Sequence, residues 1–146
     1  MLGSFMPSSM PWGANNAWTS WLMHIMKPAK NLGLKKAAII NEGGQTVAGT
    51  QGFTLHPIEV QLLIIQFDKL QDMPEKRPQQ IVINDKTFLV KKADENHIVA
   101  WNGKRYFIIC RSSSLLLVAL CTSKSKVDAA ATWLQTVNKQ LKETNH

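Results

Sequence analysis

The side chains that most often do chemistry in proteins are sparse in this chain and do not cluster along it. No metal-binding spacing such as His-x-x-x-His joins any of the four histidines, which are His24, His56, His97 and His146. Cys110 and Cys121 lie inside apolar runs, where a thiol is expected to be buried, reduced and unreactive. We therefore expect no enzyme activity, metal or cofactor, and the reduced thiols favour a cytoplasmic protein.

Aromatic and basic side chains are stronger candidates for a binding role. Trp18 and Trp21 stand three residues apart, so both would lie on one helix face, either in the core or as a ligand surface. Lys and Arg number 17 against 10 Asp and Glu, and residues 84–126 carry eight basic and three acidic side chains. This excess favours an acidic protein, anionic lipid headgroups or nucleic acid as partner, unless it merely solvates a sheet surface.

The N-terminal residues differ in composition from the rest of the chain. Residues 1–15 hold three Met, two Pro, three Ser and two Gly without periodicity, which predicts a flexible extension before a single domain at residues 16–146. A helix should follow from Asn16, with Asn15 or Asn16 as its cap and Pro28 as its end. Its apolar positions recur at helical spacing: Ala17, Trp18, Trp21, Leu22, Ile25 and Met26.

A hairpin and a second helix are predicted next. Residues 37–40 and 45–48 flank the turn signal Asn41-Glu42-Gly43-Gly44, which favours two paired strands. His56-Pro57 then begins a helix, with Glu59 placed to support its open amides, and the helix ends near Met73-Pro74. One apolar stripe should pack this helix on a sheet: Val60, Leu63, Ile64, Phe67 and Leu70.

Residues 81–121 contain short apolar runs separated by turn signals at spacings of about ten residues, too short for helical crossovers. They predict an antiparallel meander in which consecutive strands pair, with Asn102-Gly103 as the strongest hairpin signal. Asp128 should cap a final helix that runs nearly to His146. The predicted fold is α+β: a central antiparallel sheet of about six or seven strands, covered by helices.

This order of elements resembles the profilin family of actin-monomer-binding proteins. The matching stretches are residues 37–40 with Thr46-Val47-Ala48, residues 53–59, Lys86-Thr87-Phe88-Leu89-Val90, and the closing helix up to Leu141. The resemblance covers residues 16–146 and implies that the N- and C-terminal helices pack together on one sheet face, with the remaining helix on the other.

The resemblance implies a groove for proline-rich ligands between the terminal helices, because aromatic faces stack on a polyproline helix. Trp18 and Trp21 match two groove aromatics. Val47 replaces a third, and the last helix offers Gln140 and Leu141 where an aromatic residue or His followed by Leu is expected. His146 stands near a common terminal aromatic. Because part of the stacking platform is missing, we predict weakened or altered binding of proline-rich peptides.

The resemblance also implies an actin surface on the later strands and the start of the last helix. Gapless matching places on it Val90, Lys92, Asn102, Lys104, Lys126, Ala129 and Thr132. Basic residues concentrate in the same region, which suits acidic actin. Phosphoinositide headgroups could bind Lys91, Lys92, Arg105 and Arg111, in competition with a protein partner.

Together these features predict a monomeric, cytoskeleton-associated protein that binds actin monomers and regulates filament assembly. The alternative is a small α+β adaptor of a trafficking or signalling complex that does not bind actin. Nucleic-acid binding is not expected, because no aromatic-basic strand motif of the RNA-recognition type is present.

Overall fold

The computed structural model describes residues 15–75 and 78–144. These residues form four helices: α1 (Asn15–Met26), α2 (Ala29–Leu32), α3 (Pro57–Asp72) and α4 (Val127–Glu143). They also form seven strands: β1 (Leu34–Asn41), β2 (Thr46–Gly49), β3 (Gln80–Ile83), β4 (Lys86–Ala93), β5 (His97–Trp101), β6 (Tyr106–Arg111) and β7 (Leu115–Cys121). The flexible extension predicted before Asn16 falls, except for Asn15, outside the described residues.

The seven strands form one antiparallel sheet in the order β2-β1-β7-β6-β5-β4-β3. Strands β3 to β7 pair consecutively, which confirms the predicted meander, because each connection is too short for anything but a hairpin. The hairpin of β1 and β2 joins this meander through β7, with Ala38 opposite Val118. The α+β fold with a central antiparallel sheet is therefore confirmed.

Helices cover both faces of the sheet, as predicted. One face, called the helix face below, packs against α1 and α4 around buried residues that include Ile25, Leu117 and Leu134. The opposite face packs against α3 through Val60, Leu63, Phe67 and Leu70, while Ile64 of the predicted stripe is only partly buried. Both helix layers remove apolar strand residues from water, which is the main stabilising contribution to such a domain.

Two local predictions need correction, and one short helix was not predicted. Asp128 does not cap α4, because the cap position is Lys126 and Asp128 lies in the first turn. Glu59 does not support the amides of its own helix: it is buried, and its carboxylate accepts hydrogen bonds from the backbone N–H groups of Asn84 and Asp85 at 2.8 and 3.1 Å. The short helix α2 was not predicted, since Pro28 ends α1 but also stands at the cap position of α2.

The described part of the sheet contains three β-bulges. One lies in β1 opposite β7, between Leu34 and Lys36, and the other two change which face some residues occupy. In β4 the pairing with β5 shifts between Val90 and Lys92, and in β2 Val47 is the extra residue opposite β1. A bulge lets neighbouring residues share a face that strict alternation would separate. Residues placed by counting along the sequence can therefore change sides.

No helix in residues 15–75 and 78–144 has the length and apolar character needed to cross a bilayer.

Candidate ligand-binding surfaces

A groove of about 420 Å³ opens between α1 and α4. Its lining residues come from both helices: Ala17, Ser20, Trp21, His24 and Gln140. Helix α1 places Trp21 and His24 on one face because they are three residues apart, and α4 supplies the opposite wall. The groove thus combines one large aromatic surface with polar groups that can donate or accept hydrogen bonds.

A chain of ring contacts ties the groove wall to the body of α4. The His24 ring lies 5.9 Å from the Trp21 ring and 5.2 Å from the Trp133 ring, edge to face in both cases. His24 Nε2 and Gln140 Oε1 are 3.0 Å apart, and Trp133 Nε1 donates to the carbonyl oxygen of Ile25 at 2.9 Å. The two helices are therefore held together by directed contacts, which keep the Trp21 surface in place.

The structure brings together most of the residues predicted for proline-rich ligands. Trp18, Trp21 and Val47 are half-buried on the helix face, and Gln140 lines the groove. Leu141 is 0% exposed, so it supports the packing of α4 and offers no surface to a ligand. His146 lies outside the described residues.

Sequence reasoning missed two residues of this surface. His24 was considered only as a metal ligand, although its position three residues after Trp21 places both on one helix face. Trp133 of α4 was not assigned to this surface, but it is only partly buried and bridges α4 to α1. Helical spacing alone could have identified His24, whereas the bridging role of Trp133 depends on how the two helices cross.

A second surface lies on the same face of the sheet, beyond the edge of α4. Helix α4 packs on β6 and β7, and Leu89 of β4 is 48% exposed. Leu89 pairs with Trp101 of β5, and Lys91 Nζ lies 4.9 Å from the centre of the Trp101 ring. We call Leu89, Lys91, Lys92 and Trp101 the open face.

The first turns of α4 border the open face. Lys92 Nζ lies 3.2 Å from Asp128 Oδ1, in an exposed pair that fixes position more than it adds stability. Thr132 donates to the Asp128 carbonyl oxygen at 3.0 Å, and Ala129 is exposed beside it. These contacts place Lys92, Ala129 and Thr132 of the predicted actin set in one region.

The turn between β5 and β6 extends this region at the same end of the sheet. The Asn102 side-chain oxygen accepts hydrogen bonds from the backbone N–H groups of Lys104 and Arg105 at 3.3 and 3.0 Å. Tyr106, which follows, pairs with Cys121 shortly before α4 begins. Asn102 and Lys104 therefore lie on the same end of the domain as Lys126.

Val90 does not share this surface. Its side chain is partly buried against the core beneath α3, on the opposite side of the sheet from Trp101. Gapless matching assigned Val90 and Lys92 to one surface, but the bulge between them leaves the two residues on opposite faces of the sheet. Leu89 and Lys91 take the place that the sequence assigned to Val90.

The four residues predicted for phosphoinositides do not form one patch. Arg105 precedes β6 and Arg111 ends it, so they lie at opposite ends of the strand. The Arg111 guanidinium pairs with Asp68 of α3, and its own carbonyl oxygen accepts a hydrogen bond from Asn138. Arg111 therefore stabilises packing at the far end, whereas Lys91 and Lys92 stay together on the open face.

The buried thiols lack the properties of a nucleophile. Burial, together with the charge of Asp94, raises the pKa of the Cys110 thiol to about 12, and burial raises the pKa of Cys121 as well.

Burial by itself would raise the pKa of Asp94. Hydrogen bonds from the N–H groups of Asn96 and His97 outweigh it, so this pKa lies below its usual value.

One group in the described residues could hold a metal by its geometry: the ligand atoms of His56, Glu59 and Asp85 lie within 4.8 Å of one another. Both Glu59 oxygens already accept backbone N–H groups from the turn at residues 84 and 85. That turn has positive φ at Asn84 and Asp85, at 52° and 66°, and needs such support. The cluster is thus accounted for by the hairpin.

Comparisons with known proteins agree with this architecture. A family model described as Profilin matches residues 16–146. Profilin IA of Acanthamoeba castellanii is similar with a TM-score of 0.72 and 19% identity, over 88% of this chain and 99% of that chain. LokiProfilin2 in complex with rabbit actin has a TM-score of 0.72 and 16% identity, over 87% of this chain and 96% of that one.

Mouse profilin IIa in complex with a double repeat from the FH1 domain of mDia1 is also similar. Its TM-score is 0.65 at 14% identity, over 88% of this chain and 99% of that chain. At such identities the likeness establishes the fold alone. No sequence among curated proteins matches the chain at a significant level.

Proposed function

Because the chain belongs to the profilin family, we propose that it is a non-catalytic protein that binds actin monomers and regulates filament assembly. The observation that carries the proposal is the open face. Leu89 and Trp101 offer apolar contact at the centre of a surface whose charged groups are mainly basic, including Lys91 and Lys92. Interfaces commonly combine an apolar centre with a charged rim, and basic residues suit an acidic partner.

The predicted actin residues support this assignment once Val90 is replaced. All six remaining residues are exposed: Lys92, Asn102, Lys104, Lys126, Ala129 and Thr132. Asn102, Lys104 and Lys126 lie at the end of the sheet where α4 begins, and the Lys92 side chain reaches Asp128 in the first turn of α4. The structural neighbour LokiProfilin2 was solved in complex with rabbit actin. We assign the centre of the surface to Leu89 and Trp101 and its rim to the exposed polar residues.

The test is the assembly of pyrene-labelled actin in the presence of increasing amounts of the protein. Assembly should slow as monomers are bound, and Leu89→Asp should weaken the effect about tenfold or more because it places a charge at the interface centre. Ile65→Asp is the matched control, since Ile65 is 46% exposed but lies on α3, on the other side of the sheet.

Unchanged assembly at several times the actin concentration would favour the alternative, a small adaptor that shares the architecture without binding actin. Equal losses for the Leu89 and Ile65 variants would mean that the effect does not arise from the open face. Circular dichroism of each variant separates lost binding from lost folding.

We further propose that the α1–α4 groove binds proline-rich peptides weakly or in an altered manner. Trp18 and Trp21 supply apolar surface, but Val47 and Gln140 supply none of the aromatic faces on which a polyproline helix stacks. Each missing aromatic costs on the order of 1 kcal/mol. A tryptophan fluorescence titration with oligoproline checks this, and the absence of any change up to about millimolar peptide would contradict it.

Anionic lipid headgroups are a third proposed ligand class, now restricted to Lys91, Lys92 and Arg105, since Arg111 lies at the far end of the strand. Such binding would overlap the open face and should compete with actin. Co-sedimentation with phosphoinositide vesicles, with and without actin monomers, tests it. Independent binding of both ligands would argue against a shared surface.

A further inference from the structure

Three chain segments meet at the end of the sheet where β1 begins, and all three are basic. Cys121 of β7 lies opposite both Leu34 of β1 and Tyr106 of β6. The connections at this end therefore lie side by side, across three strand spacings from β1 to β5, or about 14 Å. Seven exposed cations, called the basic end below, stand on them: Lys30, Lys35, Lys36, Lys104, Arg105, Lys124 and Lys126.

The basic end has almost no compensating negative charge. Within residues 29–36, 102–106 and 121–128, all of which the structure describes, the one carboxylate is Asp128, and its partner is Lys92. In the described part of the chain, no ion pair or side-chain hydrogen bond involves the seven cationic groups. Like charges on neighbouring connections repel one another, so a bound anion would reduce a repulsion that is already present.

The segments are held in fixed positions relative to one another. The Thr122 N–H donates to the Gly33 carbonyl oxygen at 3.0 Å, and the Cys121 thiol faces the Leu32 carbonyl oxygen at 3.5 Å. Gly33 has a φ of 68°, and a Cβ there would come within 2.7 Å of Ser123 Cβ. Glycine at this position thus allows the segment before β1 to lie against the segment after β7, so the backbone that carries these lysines is held in place before any ligand binds.

The chemistry of the basic end distinguishes among the anionic partners. It contains six lysines and one arginine, and lysine is a hydrated point charge without the fork that arginine offers to phosphate. The exposed large apolar residues of the described chain all lie outside the three connections, and Tyr106 is buried. Trp101, which precedes the middle connection, is half-buried beside Tyr106, and Lys91 lies over its ring. The basic end therefore has neither the apolar side chains that insert into lipid nor the aromatic faces on which nucleic-acid bases stack.

We propose that the basic end binds an extended acidic peptide segment of a protein partner. The three connections follow one another in a line, and an extended chain of about five residues spans that length. Carboxylates on such a peptide would meet lysines at successive positions without needing a deep pocket. This site shares Lys104 and Lys126 with the proposed actin surface and extends beyond it, because Lys30, Lys35, Lys36 and Lys124 lie outside the actin set.

The experiment is a fluorescence anisotropy titration with a fluorescein-labelled oligoglutamate peptide of about ten residues. The test variant carries Lys30→Glu, Lys35→Glu and Lys124→Glu. The control variant carries Lys69→Glu, Lys139→Glu and Lys142→Glu, which changes the net charge equally at exposed positions away from the basic end. We expect the wild-type protein to bind, the test variant to bind at least about tenfold more weakly, and the control variant to lose less than about threefold.

Three results would overturn the proposal: no wild-type binding up to about 1 mM peptide at low salt, equal losses in the two variants, or tighter binding of phosphatidylserine vesicles or oligothymidine than of the peptide. Thermal melts establish that both variants are folded. Pyrene-actin assembly with the test variant keeps the two proposals apart, because we expect its effect on actin to survive when peptide binding is lost.

Discussion

The groove and the open face lie on the same side of one sheet, yet they are built in different ways. The groove is a gap between two helices. Its walls are fixed by ring contacts, by the hydrogen bond from Trp133 to the Ile25 carbonyl oxygen, and by the hydrogen bond between His24 and Gln140. The open face exists because α4 packs on β6 and β7 and leaves Leu89 uncovered. Aromatic stacking thus dominates the first surface, and apolar area with a basic rim dominates the second.

This difference explains how far each surface could be read from the sequence. Residues three apart on a helix share one face of that helix. Trp18 and Trp21 do so, and both pack against the core on the helix face of the sheet. Residues on a strand alternate only while the ladder is regular, and the bulge in β4 sent Val90 to the other side.

Trp21→Ala should give the largest difference between the loss of oligoproline binding and the loss of actin binding. This change removes the main aromatic surface of the groove and should weaken oligoproline binding by about 2 kcal/mol, or roughly 30-fold. Its effect on actin assembly should be small, because Trp21 lies on α1, away from the open face. Fluorescence or calorimetric titration measures the first effect and pyrene-actin assembly the second; a matching loss in both assays would contradict the separation.

A smaller effect in the opposite direction is expected from Val47→Trp. Val47 is half-buried on the helix face beside α1, so an indole there should extend the stacking surface and strengthen oligoproline binding by about 1 kcal/mol. Leu89→Trp is the matched control, because it adds an indole to the open face instead. If both variants bind oligoproline equally, the groove is not the site of stacking.

Charge reversal at Lys92 tests the rim of the open face. Lys92→Glu should weaken actin binding about fivefold, since it loses attraction to an acidic partner and places a like charge beside Asp128. Val90→Thr serves as the comparison, because Val90 faces α3 and should leave actin binding within about twofold. If Val90→Thr weakens actin binding and Lys92→Glu does not, Val90 belongs to the actin surface and its replacement by Leu89 is wrong.

The smallest effect should come from Lys91→Met. This substitution keeps much of the side-chain length but removes the cation above Trp101, an interaction worth about 0.5–1 kcal/mol at an exposed site. Actin binding should fall by no more than about fivefold, and oligoproline binding should not change. Affinities from both titrations check this, and a larger effect on the groove would show that the two surfaces are coupled.

Much of the architecture was accessible from the sequence because the signals are local. Turn residues such as Asn102-Gly103 mark hairpins, and the stripe from Val60 to Leu70 marks a helix against a sheet. The predicted roles of Asp128 and Glu59 failed for different immediate reasons, because α4 begins at Val127, before Asp128, and Glu59 bonds to another turn. Each side chain found a distant partner, Lys92 for one and the turn at residues 84 and 85 for the other, and sequence spacing carries no information about such partners.

The sequence by itself determined the order of the elements, the meander and the helical positions of the tryptophans, because propensity and periodicity act over a few residues. Only the tertiary structure decided that β1 pairs with β7, that Val90 turns toward α3, and that Arg111 pairs with Asp68 far from Arg105. It also decided that three separate basic segments meet at one end of the sheet. Those outcomes depend on which strands become neighbours, and strand neighbours are chosen by the packing of the whole domain.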